Sequence, residues 1–246
     1  MDNVTIPKII MQTWKTNDIP EGWKESPLSI KNYMSDWKYI LMTDKMNEDF
    51  VKENFPGFYP YFIAFPYNIQ RADAIRACWL YINGGLYIDL DMVIKKDLSE
   101  FFTSNQELYF VNSGNISGTI TNSFMASKKG CNFWLEYIEE MKKPPNWAFE
   151  KHFIVMTTTG PMCLTKVLKK SIYSYTILPQ KLIMPCSVCD INKCNSKDSY
   201  IKPLIGQSWN GWTSKTLNFA MCNWREVSSI ILILLVILFF LLIYKK

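Results

Sequence analysis

The 246-residue chain has no block of lysine and arginine. Its formal charge of +5 is spread over short pairs such as Lys95-Lys96, Lys128-Lys129 and Lys169-Lys170. Two of those charges belong to the closing Lys245-Lys246, which leaves +3 on the rest, so nucleic-acid binding is not expected. Internal repeats are missing. Histidine is nearly absent: His152 stands alone, in no recognisable pattern, and reads as a surface or packing residue. The first residues, Met1 to Pro7, lack a basic region followed by an apolar stretch, so no secretory leader is expected. Seven cysteines make an odd number. Cys78, Cys131, Cys163 and Cys222 are scattered, and a cytosolic body would keep them reduced. The cluster Cys186-x-x-Cys189-x4-Cys194 falls one thiol short of a structural zinc site unless Cys163 or Cys222 completes it, and unliganded loop thiols are the expected state.

From residue 227 to 244 charge disappears as well. Val-Ser-Ser is followed only by Ile, Leu, Val and Phe, with a closing Tyr. Eighteen helical residues span roughly 27 Å, enough for a thin bilayer. A core helix of that length would show a polar face, so residues 227–244 are expected to be a membrane anchor. Arg225 and Lys245-Lys246 mark its two interfaces. The expected topology is that of a tail-anchored protein whose body, residues 1–224, faces the cytosol.

Within the body, apolar runs of strand character alternate with segments of helical spacing. Strands are expected at Lys8–Trp14, Trp37–Met42, Leu86–Ile88, Leu108–Val111, Phe124–Ala126, Tyr175–Leu178 and Leu182–Met184. Helices are expected at Leu28–Ser35, Asn47–Asn54, Pro66–Ile82, Asn132–Lys142 and from Gly160-Pro161 to Lys170. Pro20 to Pro27 reads as loop, and Thr43-Asp44 as a helix cap. This is α/β order with a mainly parallel sheet.

The most informative stretch is Gly84-Gly85-Leu86-Tyr87-Ile88-Asp89-Leu90-Asp91. A glycine turn opens a continuously apolar, buried strand, which then carries two carboxylates where it should carry none. Two residues apart on a strand, Asp89 and Asp91 point to one face. Like charges side by side require a cation or a shared proton. A hard divalent ion, which prefers oxygen ligands and bridges to phosphates, is the simplest compensation. Asp73 and Arg76, three apart on a helix, also share a face; a structural ion pair is the alternative use for them. Trp14 ends the first strand, where its ring serves either a nucleobase or the core. Trp147, Phe149 and Trp212 are open between core packing and the rim of an acceptor site.

Together, Ile6–Lys15, Arg71-Ala72-Asp73-Ala74-Ile75-Arg76 and the Gly84–Asp91 block resemble glycosyltransferase family 32. Asn122–Ser127, Thr159-Gly160-Pro161 and Gly206-Gln207-Ser208-Trp209 look like its later blocks in the same order. The resemblance implies a GT-A fold: one Rossmann-like domain carrying a metal-dependent transferase that retains anomeric configuration. It implies Mn²⁺ or Mg²⁺ held by Asp91 with Asp89 and Ser208. It also implies a nucleotide-sugar donor held by Trp14, Asp73, Arg76, Tyr87, Asp89, Ser208 and Trp209, with Asp89, Asp91 and Arg76 at the chemistry. GDP-mannose is the leading donor, a UDP-hexose the next. The expected acceptor is a glycolipid, glycan or glycoprotein at a membrane. Many members carry a histidine shortly before the Ser-Trp element; Tyr200 to Ile205 contains none. That absence keeps open a second reading, a nucleotide-sugar-binding protein of weak turnover, and a third, a membrane-anchored scaffold.

Overall fold

The computed structural model describes residues 5–103, 105–114, 118–191, 194–206, 209 and 211–244, the side chains of residues 238 and 239 excepted. The chain divides into two compact units, Met1–Gln207 and Ser208–Lys246.

The first unit is built on a six-stranded sheet. In chain order its strands are β1 (Ile9–Trp14), β2 (Lys38–Thr43), β3 (Gly85–Ile88), β5 (Leu108–Asn112), β6 (Ile120–Ser127) and β7 (Tyr175–Leu178). Their spatial order is β2-β1-β3-β6-β5-β7. β1 pairs in parallel with β2 and β3, and β5 with β7, whereas β6 is antiparallel to both its neighbours. Five strands therefore point one way and β6 alone points back, matching the mainly parallel expectation. A second, two-stranded sheet joins β4 (Met92–Ile94) to β8 (Ile201–Pro203) in antiparallel register. This sheet was not expected, because three-residue strands are too short to show alternation.

Neighbouring residues on each central strand enter different cores. Met11, Tyr87, Phe110 and Met125 pack with the helices α4 (Asn68–Asn83), α5 (Phe133–Met141) and α7 (Pro161–Leu168). Ile10, Leu86, Ile88, Tyr109, Val111 and Phe124 pack with Ile30 and Met34 of the segment around α1 (Glu25–Tyr33). A sheet covered on both faces needs apolar residues at every position, hence the unbroken apolar runs. Tyr87 therefore looks toward α4, and that direction decides the site.

The remaining helices are α2 (Asp44–Asn54), α3 (Tyr59–Ala64), α6 (Lys151–Thr158) and α8 (Gln180–Ile183). Thr43 caps α2, its hydroxyl accepting from Met46 N. The supposed loop from Pro20 to Pro27 instead holds a single helical turn, Glu21–Trp23, and the start of α1. Pro27 is no obstacle there, since the first turn of a helix needs no amide donor. Leu182–Met184, expected as a strand, lies largely in α8, which begins directly after Pro179; a three-residue apolar run does not separate the two states. Gly85 has φ +91°, and a Cβ there would run into the Ile9 carbonyl oxygen, so only glycine lets β3 start this close to β1.

The second unit contains α9 (Trp212–Cys222) and α10 (Trp224–Tyr244). α10 has a mean hydropathy of 3.1 over its most apolar window, and none of that window is buried. At about 1.5 Å per residue its 21 residues reach roughly 31 Å, the thickness of a bilayer core. It is the one helix among the described residues long and apolar enough to cross a membrane.

Candidate active site

Asp89 and Asp91 sit just past the end of β3, in the turn leading to β4. They are thus not two positions on one strand face, as the spacing suggested; the strand stops at Ile88 and a turn brings the carboxylates together. Asp89 still follows Tyr87's side toward α4. Its backbone N–H donates to Ser123 O at 2.9 Å, and Gln12 Nε2 donates to its carbonyl at 3.2 Å. Neighbouring β1 and β6 thus fix where the turn begins.

α4 supplies the positive centre. Arg76 is 5 % exposed, and its Nη1 lies 3.3 Å from Asp89 Oδ1 while its Nη2 lies 3.4 Å from Asp73 Oδ1. Nη1 also donates to Asn122 O at 2.7 Å and Nε to Ala72 O at 3.1 Å. The guanidinium lies over the Tyr87 ring, 4.5 Å from its centroid, a cation–π contact strengthened by burial. The Tyr87 hydroxyl in turn donates to Asp89 Oδ1. Asp73, also buried, accepts from Asn122 Nδ2 at 2.9 Å and from Thr159 Oγ1 at 3.0 Å. Arg76 is thus held on three sides, which orients it more than it stabilises the fold, since a buried ion pair recovers little beyond its desolvation cost.

Protonation follows from this packing. Burial pushes Asp73 up to about 7, against Arg76 and the Thr159 and Asn122 hydrogen bonds that pull it down. Burial would lower the Arg76 pKa, but Asp89, Tyr87 and Asp73 raise it above its ordinary value. Asp89 is raised by burial, with Arg76 opposing. Burial and then the Asp89 charge push Asp91 up to about 7. Among the described residues no ion pair reaches Asp91, whereas Asp73 and Asp89 both have Arg76. Fully ionised, three carboxylates against one guanidinium would carry two uncompensated negative charges, and burial meets that cost by raising the carboxyl pKa values.

A strap closes over that carboxylate. Leu204 N donates to Asp91 O at 2.7 Å, and a Cβ at Gly206 would run into Asp91 Oδ2 and lie 2.8 Å from its Cγ. The missing Cβ is what leaves the carboxylate its place. Trp23 Nε1 donates to Ile205 O at 3.0 Å, and its ring meets Trp14 edge-on at 5.0 Å. Trp14, half-buried at the site end of β1, therefore stands beside the strap. A pair of acids with surplus charge, a raised pKa and glycine-made room suits a hard divalent cation.

Of the expected site residues, Asp73, Arg76, Tyr87, Asp89 and Asp91 come together, and Trp14 lies at the same end of the sheet. Ser208 lies outside the described residues. Trp209 is a half-buried turn residue of the second unit. Arg71 holds its own turn, donating to Phe65 O and Asn68 Oδ1. Trp147, Phe149 and Trp212 are exposed, so none of them is core. Sequence reasoning gave no role to Gln12, Asn122, Thr159 or Gly206, although each sits inside one of the motif blocks; Trp23, in a stretch read as loop, carried no signal.

The cysteine cluster came out differently on both counts. Cys186 and Cys194 form a disulfide, with Cα atoms 5.6 Å apart, so they are neither zinc ligands nor free thiols. Among the described residues no group of three or more His, Cys, Asp or Glu side chains forms a metal cage. Cys78, Cys131 and Cys163 are free and buried. The expectation of unliganded loop thiols therefore fails for this pair: eight residues apart in a turn-rich loop, Cys186 and Cys194 are joined.

A family model described as "Glycosyltransferase sugar-binding region containing DXD motif" matches residues 20–109. Inositol phosphoceramide mannosyltransferase 2 of Schizosaccharomyces pombe is 38% identical over 168 residues, 67% of this chain and 47% of that protein. The chain belongs to glycosyltransferase family 32. Mannosyl phosphorylinositol ceramide synthase SUR1 of Saccharomyces cerevisiae is likewise 38% identical, over 67% of this chain and 42% of that protein. The chain thus spans under half the length of these two family members. Inositol phosphoceramide mannosyltransferase 1 of S. pombe is 31% identical over 85% of this chain and 64% of its own length. The GT-A fold is shared with the solved PaToxG glycosyltransferase at TM-score 0.53, 19% identity, 68% of this chain and 70% of that one.

Proposed function

We propose that this protein moves a hexose from a nucleotide sugar to a membrane-borne lipid or glycan, with retention at the anomeric carbon and with Mn²⁺ or Mg²⁺ as cofactor. The observation that supports the proposal is the charge inventory: Asp73 of α4 with Asp89 and Asp91 past β3, three carboxyls against the Arg76 guanidinium, with Asp73 and Asp91 raised to about 7 so that full ionisation calls for an added cation. Asp91 and Asp89 would hold the ion, and its chemistry is to neutralise the departing diphosphate as a Lewis acid. Arg76, immobilised by Tyr87, Asp73 and Asn122 O, adds fixed positive charge beside the leaving group at no reorganisation cost. Asp73 aligns the donor sugar, and Trp14 with Trp23 offers ring surface to the base. No second carboxylate is placed as a nucleophile, so a front-side displacement, in which the leaving phosphate takes the acceptor proton, fits best.

GDP-mannose is the favoured donor and an inositol-phosphate sphingolipid the favoured acceptor, supported by the names of the relatives above. We further place α10 in the membrane and the body on its oxidising side. The Cys186–Cys194 disulfide supports that orientation over a cytosolic one. The full chain in vesicles containing inositol phosphoceramide, given GDP-mannose and Mn²⁺, should yield the mannosylated lipid by mass spectrometry. Ion-dependent donor binding with neither transfer nor hydrolysis, for any nucleotide sugar, would favour the weak-turnover reading that the missing histidine before Ser208 keeps alive.

A further inference from the structure

We infer that the surface formed by α3, the 142–150 loop and the start of α6 docks onto the lipid bilayer, apart from any anchoring by α10. The patch joins Tyr61 and Ile63 of α3 with Trp147 and Phe149 of the loop and Phe153 of α6. Phe149 is 92 % exposed and Trp147 57 %, an exposure of aromatic surface to water that costs free energy. Trp147 packs on Phe153 with ring centroids 6.3 Å apart, and Lys142 over the Tyr61 ring ties α3 to the start of the same loop.

Lysines frame these rings. Lys142 Nζ lies 5.4 Å from the Tyr61 ring centroid and Lys151 Nζ 5.5 Å from that of Tyr67. Lys143 is exposed beside them. Three acids are close: Glu139 pairs with Lys142, Glu140 pairs with Lys166 and also feels Lys143, and Glu150 accepts from His152 N, so that Lys142, Lys143, Lys151 and Lys166 outnumber them by one. The net charge is positive, and aromatic rings capped by lysine ammoniums are the composition of a headgroup layer contact. A soluble protein partner would suit the rings, but not the lysines poised at their faces, as well as a lipid phosphate does.

Position gives the patch a use. α4 leads through the tight Gly84-Gly85 turn into β3, which runs back along it, so the start of α4 at Asn68 lies toward the carboxylate end of the sheet. α6 runs into Thr159, whose hydroxyl holds Asp73. Docking here would hold the site end of the body at the lipid surface. The inference does not require the transfer reaction, though it suits a membrane-borne acceptor.

The test uses the full chain in phosphatidylcholine vesicles, with and without phosphatidylserine. A spin label at Asn146→Cys reports the patch, and one at Ile172→Cys, 89 % exposed and before β7, reports the opposite end of the sheet. The ratio of oxygen to nickel-chelate accessibility should be higher at 146 than at 172, beyond the spread of repeat measurements, the contrast between an interface and water. Phosphatidylserine should increase it. Trp147→Ser with Phe149→Ser should return it to the value at 172, and Lys142→Glu, Lys143→Glu and Lys151→Glu together should remove the phosphatidylserine effect. Equal, water-like ratios at both labels in membrane-inserted protein would overturn the inference, and lysine-independent exposure would overturn its electrostatic part. Since no turnover is measured, an inactive enzyme with a lipid-exposed patch and an active one with a wet patch are distinguishable results.

Discussion

Replacing Gly206 by alanine adds one methyl group at the point where the strap crosses Asp91. The new Cβ overlaps Asp91 Oδ2 and sits 2.8 Å from Cγ, both closer than any real contact. Either the carboxylate turns away or the strap lifts. The strap resists, being tied by Leu204 N to Asp91 O at 2.7 Å and by Trp23 Nε1 to Ile205 O at 3.0 Å. Turning the carboxylate off its rotamer costs about 0.5–1.5 kcal/mol, and overpacking in general about 1–3 kcal/mol, so the fold survives. Catalysis should not: a group misplaced by about 1 Å costs on the order of 100-fold in rate. The assay is donor hydrolysis against Mn²⁺ concentration, with Mn²⁺ binding followed calorimetrically and the melting temperature as a fold check. We expect weaker ion binding, turnover down about 100-fold and a melting temperature lowered by only a few degrees. Turnover above about a tenth of wild type, where the geometric cost is on the order of 100-fold, would show that Asp91 is not needed where it stands.

Asp91→Asn should abolish ion-dependent donor hydrolysis without loss of fold, because an amide binds a divalent cation poorly and the replaced charge is unfavourable where it sits; ion binding equal to wild type would remove Asp91 from the primary shell. For Asp73→Asn, measured without ion or donor, the sign follows from a carboxyl raised from 3.8 to about 7. The wild-type charge costs stability progressively as pH rises through that window, so the melting temperature of the variant relative to wild type should climb from about pH 4 to about pH 7 and level off above it, with lower activity than wild type throughout. A difference that shrinks with pH would reverse the assignment. Protein alkylated in intact membranes and mapped without reductant should give Cys186 and Cys194 as one linked peptide pair; both thiols recovered alkylated would return the body to a reducing compartment.

The parts of the fold that show in the sequence are those buried on both sides. β1, β3, β5 and α4 are continuous apolar runs or wide helical faces, because two cores press on them and every position reports it. The small sheet of β4 and β8 and the short helices α3 and α6 are three to eight residues long, and their position is set by what they cover rather than by their own pattern. The site divides the same way. Asp89 and Asp91 stand out because charge is foreign to a buried strand, and Asp73 and Arg76 because their spacing puts them on one face. Asn122, Thr159 and Gln12 are polar residues in ordinary surroundings, and only the meeting of β6, α7's approach and β1 around α4 gives them a task. The disulfide was misjudged from a premise about compartment, not from spacing.

Arg76 is where fold and chemistry join. Alternation along β3 sends Tyr87 and Asp89 to the α4 face, and the helical spacing of three sends Asp73 and Arg76 to meet them. One buried guanidinium then satisfies Asp73 and Asp89, stacks on Tyr87 and binds Asn122 O, and its capacity is used up. Among the described residues no direct ion pair reaches Asp91, and Arg76 acts on it only at longer range. A fold selected for stability alone would replace this cluster with apolar side chains at little cost or some gain. On the proposed function the cluster has a use: a cation arriving with the donor would let Asp89 and Asp91 ionise together, and Mn²⁺ binding that releases protons between about pH 6 and pH 7 would report it.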